Sequence, residues 1–132
     1  MKYILILILF EILLCYNPSA AVEYARKYCQ HYNPAYGNYA NSGGDCANFV
    51  SQCLIAGGQS LDGCANIRTH GIIAGVTSLK NCLVKKGWKT SETRPPSFKA
   101  GYPMAYTNLK HITMATSVNG NIITYCGHTK DV

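Results

Sequence analysis

Seven cysteines in a chain of 132 residues constrain it more than any other feature, because an odd number cannot all be paired. That density points to an oxidising compartment, with at least one thiol left over for packing, metal binding or nucleophilic chemistry. The length is one domain's worth on a scale of roughly 100–200 residues per domain. Hydrophobic residues make up 48% and charged residues 14%, which excludes a disordered tail, a coiled coil and a multi-spanning membrane protein. A disulfide-rich binder and a small secreted enzyme both remain open on composition.

The N-terminus speaks for export. Met1-Lys2 is a short basic start, and Tyr3 to Cys15 is apolar except for Glu11. About 7–15 apolar residues behind a basic start is the pattern of a signal peptide, and it falls short of the roughly 20 that span a bilayer. The reading is a leader over residues 1–15, with cleavage as late as residue 21, and a secreted or lumenal domain over 16–132 without a stable membrane span. Removing Lys2 and Glu11 together leaves the net charge at +6.

Ser19 to Tyr32 carries apolar positions at helical spacing, with Ser19 as a candidate N-cap and Asn33-Pro34 as the stop. Residues 33–45 are a loop rich in glycine, asparagine and tyrosine. A second helix starts at Asp45 or Cys46 and ends at Ala56 before Gly57-Gly58, with Cys46, Phe49, Val50, Cys53 and Leu54 on its apolar face. Residues 59–75 read as an irregular excursion, and Thr77 to Lys86 as a third helix closed by Gly87. Strands follow at Tyr102–Thr107, His111–Val118 and Ile122–Cys126, the last two joined by Asn119-Gly120, a strong hairpin signal. Helices first and an antiparallel meander afterwards give an α+β domain.

Cys46 falls at the first turn of a helix, after Asp45 and a glycine-rich loop. Helix N-terminal amides favour a thiolate and lower its pKa, to about 3.5–7.5 in active sites. Composition alone favours the other reading, in which Cys46 is half of a disulfide. A nucleophilic cysteine needs a base, and the base needs an orienting group. His111 opens a strand, and across a hairpin centred on residues 119–120 His128 comes out near it, as a cross-strand neighbour. His31 and His70 read as surface residues.

If Cys15 leaves with the leader and Cys46 is free, five cysteines remain, allowing at most two disulfides among Cys29, Cys53, Cys64, Cys82 and Cys126. Cys64 and Cys82 flank the irregular excursion and could staple it, although connectivity cannot be read from sequence. Cys53 lies two turns beyond Cys46 and reads as a core residue. No C-x-x-C or H-x-x-x-H spacing occurs, so no metal or other cofactor is expected.

Asp45-Cys46-Ala47-Asn48-Phe49-Val50-Ser51-Gln52 resembles the "DCTNFVSQ" signature of the putative amidase domain family, a branch of the papain-like NlpC/P60 and CHAP hydrolases. Ala21 to Tyr28 with Asn33-Pro34-Ala35-Tyr36 resembles the family's opening helix and turn. Ser78-Leu79-Lys80 through Gly87-Trp88 resembles its middle helix, and His111 to Val118 with Tyr125-Cys126-Gly127-His128-Thr129 its end. The likeness runs from about residue 16 to residue 131 in family order. It departs at Gly101-Tyr102, where the family commonly has Gly-Asp, in a 58–77 segment without tryptophan, and in an end at Val132 with no closing strand.

The resemblance implies a papain-like fold with Cys46 as nucleophile, His111 as general base and His128 as the residue orienting it. It implies an oxyanion donor at the Cys46 amide, Asp45 as helix cap or site organiser, and Tyr36 reaching the site from its loop. Asn48 and Gln52, four apart, read as buried side chains tying that loop down. The implied reaction is hydrolysis of amide bonds, the peptide amides of peptidoglycan by analogy with the family, through a thioester. A papain-like binding module without turnover is one alternative, and a disulfide-stapled secreted effector is another.

Six of the twelve basic residues fall between Lys80 and Lys99. They suit a solvated face, or attraction to an anionic polymer such as cell wall. No nucleic-acid-binding motif is present, and the chain is expected to work as a monomer.

Overall fold

The computed structural model describes residues 3–7, 16–39 and 44–128. Residues 8–15, with Glu11, Cys15 and the earlier cleavage point, lie outside them, as do residues 40–43 of the glycine-rich loop. The order of elements is β1 (Tyr3–Leu7), α1 (Pro18–Tyr28), α2 (Cys46–Ala56), α3 (Val76–Lys85), β2 (Lys89–Ser91), β3 (Pro103–Tyr106), β4 (Ile112–Asn119) and β5 (Ile122–Cys126). This is an α+β architecture with the helices packed on an antiparallel sheet.

α1 starts one residue earlier than the pattern suggests. Asn17, not Ser19, is its N-cap, accepting from the Ala20 amide at 3.2 Å, and Pro18 takes the first turn, where its missing N–H costs nothing. It also stops at Tyr28, short of Tyr32. A continued helix would hand the Tyr28 carbonyl to the Tyr32 amide; here that carbonyl accepts from His128 instead, and Cys29 is bonded to Cys126.

α2 has the bounds expected of it and ends where the Gly57 and Gly58 amides close back on Cys53, Leu54 and Ile55. The sequence marks one apolar face, yet every residue from Cys46 to Leu54 is buried. This is the central helix, and its polar residues are buried because each is bonded. Ser51 donates to the Ile73 carbonyl at 3.0 Å and accepts from the Ile73 amide at 3.1 Å.

The sheet has the order β2-β1-β3-β4-β5, five strands where the sequence suggests three. β3, β4 and β5 are the expected meander, with a register irregularity between Ala115 and Ser117. β2 is a short edge strand of polar residues with no alternation to mark it. β1 is the first part of the segment read as a leader; in the full chain it pairs with β2 on one side and β3 on the other. A short apolar run has no periodicity to separate a buried strand from other apolar segments.

Trp88, Phe49, Leu54, Leu61, Ile73, Leu79, Leu83, Ile112 and Met114 fill the core. Tyr102, where the family more commonly has an acid, is buried edge-on to Trp88 and Phe98. Gly101 before it has φ +93°, and a side chain there would run into Pro18 at 2.6 Å. Among the described residues two disulfides are present, Cys29–Cys126 and Cys64–Cys82, the second stapling the excursion to α3. Lys85 and Lys86 tie down the same excursion by donating to the carbonyls of Gly63 and Asp62.

Candidate active site

Cys46 is a free thiol, not half of a disulfide, and so is the fully buried Cys53. Cys46 opens α2, and the amides of Ile112, of Ala47 and of Cys46 itself are directed at its sulfur. The Ile112 amide belongs to the residue after His111, so the sulfur lies against the start of β4. Only 7% of Cys46 is exposed, and burial pushes its thiol up despite these amides, with the neighbouring Asp45 charge adding to the effect. The expected lowering by the helix N-terminus is therefore outweighed: loss of water opposes the thiolate more than the amides favour it.

Asp45 is fully buried. It is the N-cap residue of α2, but its side chain makes no cap bond; its carbonyl takes the Phe49 amide at 3.0 Å. One carboxylate oxygen accepts from the Tyr39 amide at 2.7 Å and from the Asn48 amide group at 2.9 Å, and the other meets His128 Nδ1 at 2.9 Å. Asp45 thus joins the glycine-rich loop, α2 and the residues that follow β5.

Asn48 also donates to the Gly37 carbonyl at 2.8 Å and accepts from Gln52 at 3.0 Å. Gln52 accepts from the Tyr24 hydroxyl, which in turn accepts from Asn33 at 3.0 Å. Both residues tie the loop down, as their spacing suggests.

His128 does not stand directly across from His111. The pairing Met114↔Cys126, carried on two residues, sets His128 opposite Ile112, because the turn falls on Gly120-Asn121, one residue later than the sequence suggests; the irregularity between Ala115 and Ser117 recovers only part of that offset. Both its ring nitrogens are bonded elsewhere: Nδ1 to Asp45, and Nε2 to the Tyr28 carbonyl at 2.5 Å. The ring stacks on Phe49 at 4.0 Å between centroids, with Tyr32 edge-on at 4.8 Å. His128 therefore holds Asp45 and the Tyr28 carbonyl.

His111 is buried, with Tyr106 edge-on to its ring at 5.2 Å. Gly127 passes beside it: a Cβ there would lie 3.5 Å from His111 Nε2 and 2.9 Å from Thr113 Cγ2. Tyr36 packs its ring edge-on to His70 at 5.6 Å. His31 and His70 are exposed, as read. Sequence reasoning missed the Tyr28 carbonyl, Phe49 and Gly127; the first leaves no mark in a sequence, and a glycine shows its reason only once its neighbours are known. Among the described residues no cluster of three or more His, Cys, Asp or Glu could hold a metal ion, and no helix is long and apolar enough to cross a membrane.

The fold and site define an α+β domain with a free cysteine on a helix N-terminus packed against a histidine-led strand. The model of the putative amidase domain matches residues 15–124, and the chain belongs to that family. A stretch of 48 residues is 46% identical to uncharacterized protein YhbB of Bacillus subtilis (strain 168), covering 36% of this chain and 14% of that protein. The chain thus matches a small part of that relative's length. No solved structure matches.

Proposed function

We infer that this chain is an exported, papain-like cysteine hydrolase that opens amide bonds, most simply the peptide amides of peptidoglycan, and works as a monomer. The observation that carries the reading is Cys46, a free thiol at the first turn of an eleven-residue helix with the Ile112 amide at its sulfur. Membership of an amidase family supports the bond type.

Because the resting thiol holds its proton, the first step moves that proton to His111 as the sulfur attacks the carbonyl carbon. The C=O electrons shift to oxygen, and the Cys46 amide stabilises the oxyanion from the helix N-terminus. His111 returns the proton to the leaving amine as the C–N bond breaks, which leaves a thioester. Water, deprotonated by His111, then adds to the thioester, and the carboxylic acid leaves as Cys46 takes the proton back. Asp45 and His128 keep the loop and helix in place, and Tyr36 offers a ring and hydroxyl to substrate from that loop. Lys80, Lys89, Arg94 and Lys99 favour an anionic polymer.

A second reading, a binding module without turnover, draws support from the buried, protonated thiol. Incubation with peptidoglycan fragments and peptide amides decides between them. The enzyme predicts new amines and carboxylates, none of them from Cys46→Ala, and a rate lower by about 10²-fold or more in His111→Ala. Binding of fragments with no cleavage by the intact chain would select the binding module.

A further inference from the structure

The Cys29–Cys126 disulfide lies between the helix end and strand end that hold His128. Cys29 follows Tyr28, whose carbonyl takes His128 Nε2; Cys126 stands two residues before His128. The bond joins residues 97 apart in sequence with 5.4 Å between Cα atoms. Together, disulfide and hydrogen bond close a small ring of Tyr28, Cys29, Cys126, Gly127 and His128. A hydrogen bond inside such a ring re-forms as an intramolecular contact with little entropy to lose. From this ring two contacts run to the site: His128 reaches Asp45, the residue before Cys46, and Gly127 lies against His111 Nε2.

We propose that Cys29 and Cys126 are positioning residues: their disulfide seats His128 on Asp45 and Gly127 against His111, so that the site is assembled only in the oxidised protein. The proposal rests on reading Cys46 and His111 as the reacting pair. A dithiol reductant would open the bond by giving up two electrons and two protons, leaving two protein thiols and its own cyclic disulfide. The second disulfide, Cys64–Cys82, links the excursion to α3 and serves as the internal control.

The test compares the intact chain with Cys29→Ser/Cys126→Ser and Cys64→Ser/Cys82→Ser. Three quantities are measured: the pH profile of Cys46 alkylation by iodoacetamide, with the adduct located by mass spectrometry; the His128 imidazole NMR signals; and kcat and KM on a peptide amide. In Cys29→Ser/Cys126→Ser the His128 signals and the Cys46 profile shift while cooperative unfolding persists, and kcat falls on the order of 10- to 100-fold with KM changed less. In the control pair all three stay as in the intact chain. Unchanged His128 signals and an unchanged profile in Cys29→Ser/Cys126→Ser would overturn the proposal. If that variant does not fold, Cys29→Ala/Cys126→Val takes the same measurements, and loss of fold in both makes the bond structural and overturns the proposal. If the intact chain cleaves no amide, the hydrolase reading fails, and the NMR and alkylation data still decide the positioning role.

Discussion

The imidazole of His128 and the carboxylate of Asp45 meet at 2.9 Å across 83 residues of sequence, both buried. His128 Nε2 faces a carbonyl, which can only accept, so that nitrogen carries a hydrogen. The imidazole is one of three groups held against the Asp45 carboxyl, with the Tyr39 amide and Asn48. Asp45 adds to the upward push on the Cys46 thiol. His128→Gln takes the imidazole away, so the Asp45 carboxylate should push the Cys46 thiol further up. The midpoint of Cys46 alkylation then moves to higher pH, and urea unfolding should show a loss of about 3–5 kcal/mol. An unmoved midpoint would mean that His128 does not offset Asp45 at the sulfur.

Cys46 and Cys53 hold their protons more tightly folded than unfolded, Cys53 the more so because it is fully buried. The unfolded chain releases these protons near pH 8.5 while the folded chain keeps them, so stability is full below that pH and falls above it. The urea midpoint should decline from about pH 8.5 upward, and Cys53→Ala should flatten the decline. Equal slopes in the two proteins would exclude Cys53 as a cause.

Asn48 bonds to Gly37, Asp45 and Gln52 at once. Asn48→Ala leaves those groups short of partners and should cost about 1–3 kcal/mol. Asn48→Asp sets a second carboxyl against Asp45 and should be worse than alanine at neutral pH, with the gap narrowing as acid protonates the pair. Denaturant titrations at two pH values read this directly.

Export with loss of the leader gives a chain starting at Tyr16 or Val22, which intact mass will report. That chain lacks β1, so the amides of β3 should exchange hydrogen faster than in full-length protein. A secreted chain that still begins at Met1 would contradict leader removal.

How far the sequence could be read depended on whether a feature is local. α2, bounded by Cys46 and Gly57, and the β4–β5 hairpin are written in contiguous residues, and the structure has both, with the turn on Gly120-Asn121 and Asn119 paired inside β4. The buried roles of Asn48 and Gln52 were also legible, while the Cys64–Cys82 pairing was one of several the sequence allowed. What escaped was set by distant partners. Tyr28 ends α1 because a residue 100 positions away takes its carbonyl. A hairpin turn one residue later than Asn119-Gly120 moves His128 out of line with His111. The Cys46 thiol is governed by the water it loses, and burial of α2 on all sides cannot be read from one apolar stripe.

The buried row from Asn33 through Tyr24, Gln52 and Asn48 to Asp45 has every donor facing the same way. Two of its links are amide groups, which cannot hand on a proton without becoming a different tautomer. The row is thus an anchor cable and not a wire: it can carry tension from the surface loop to Asp45, but no charge. On its other side Cys46 has the start of β4 for company, where the Ile112 amide favours its thiolate.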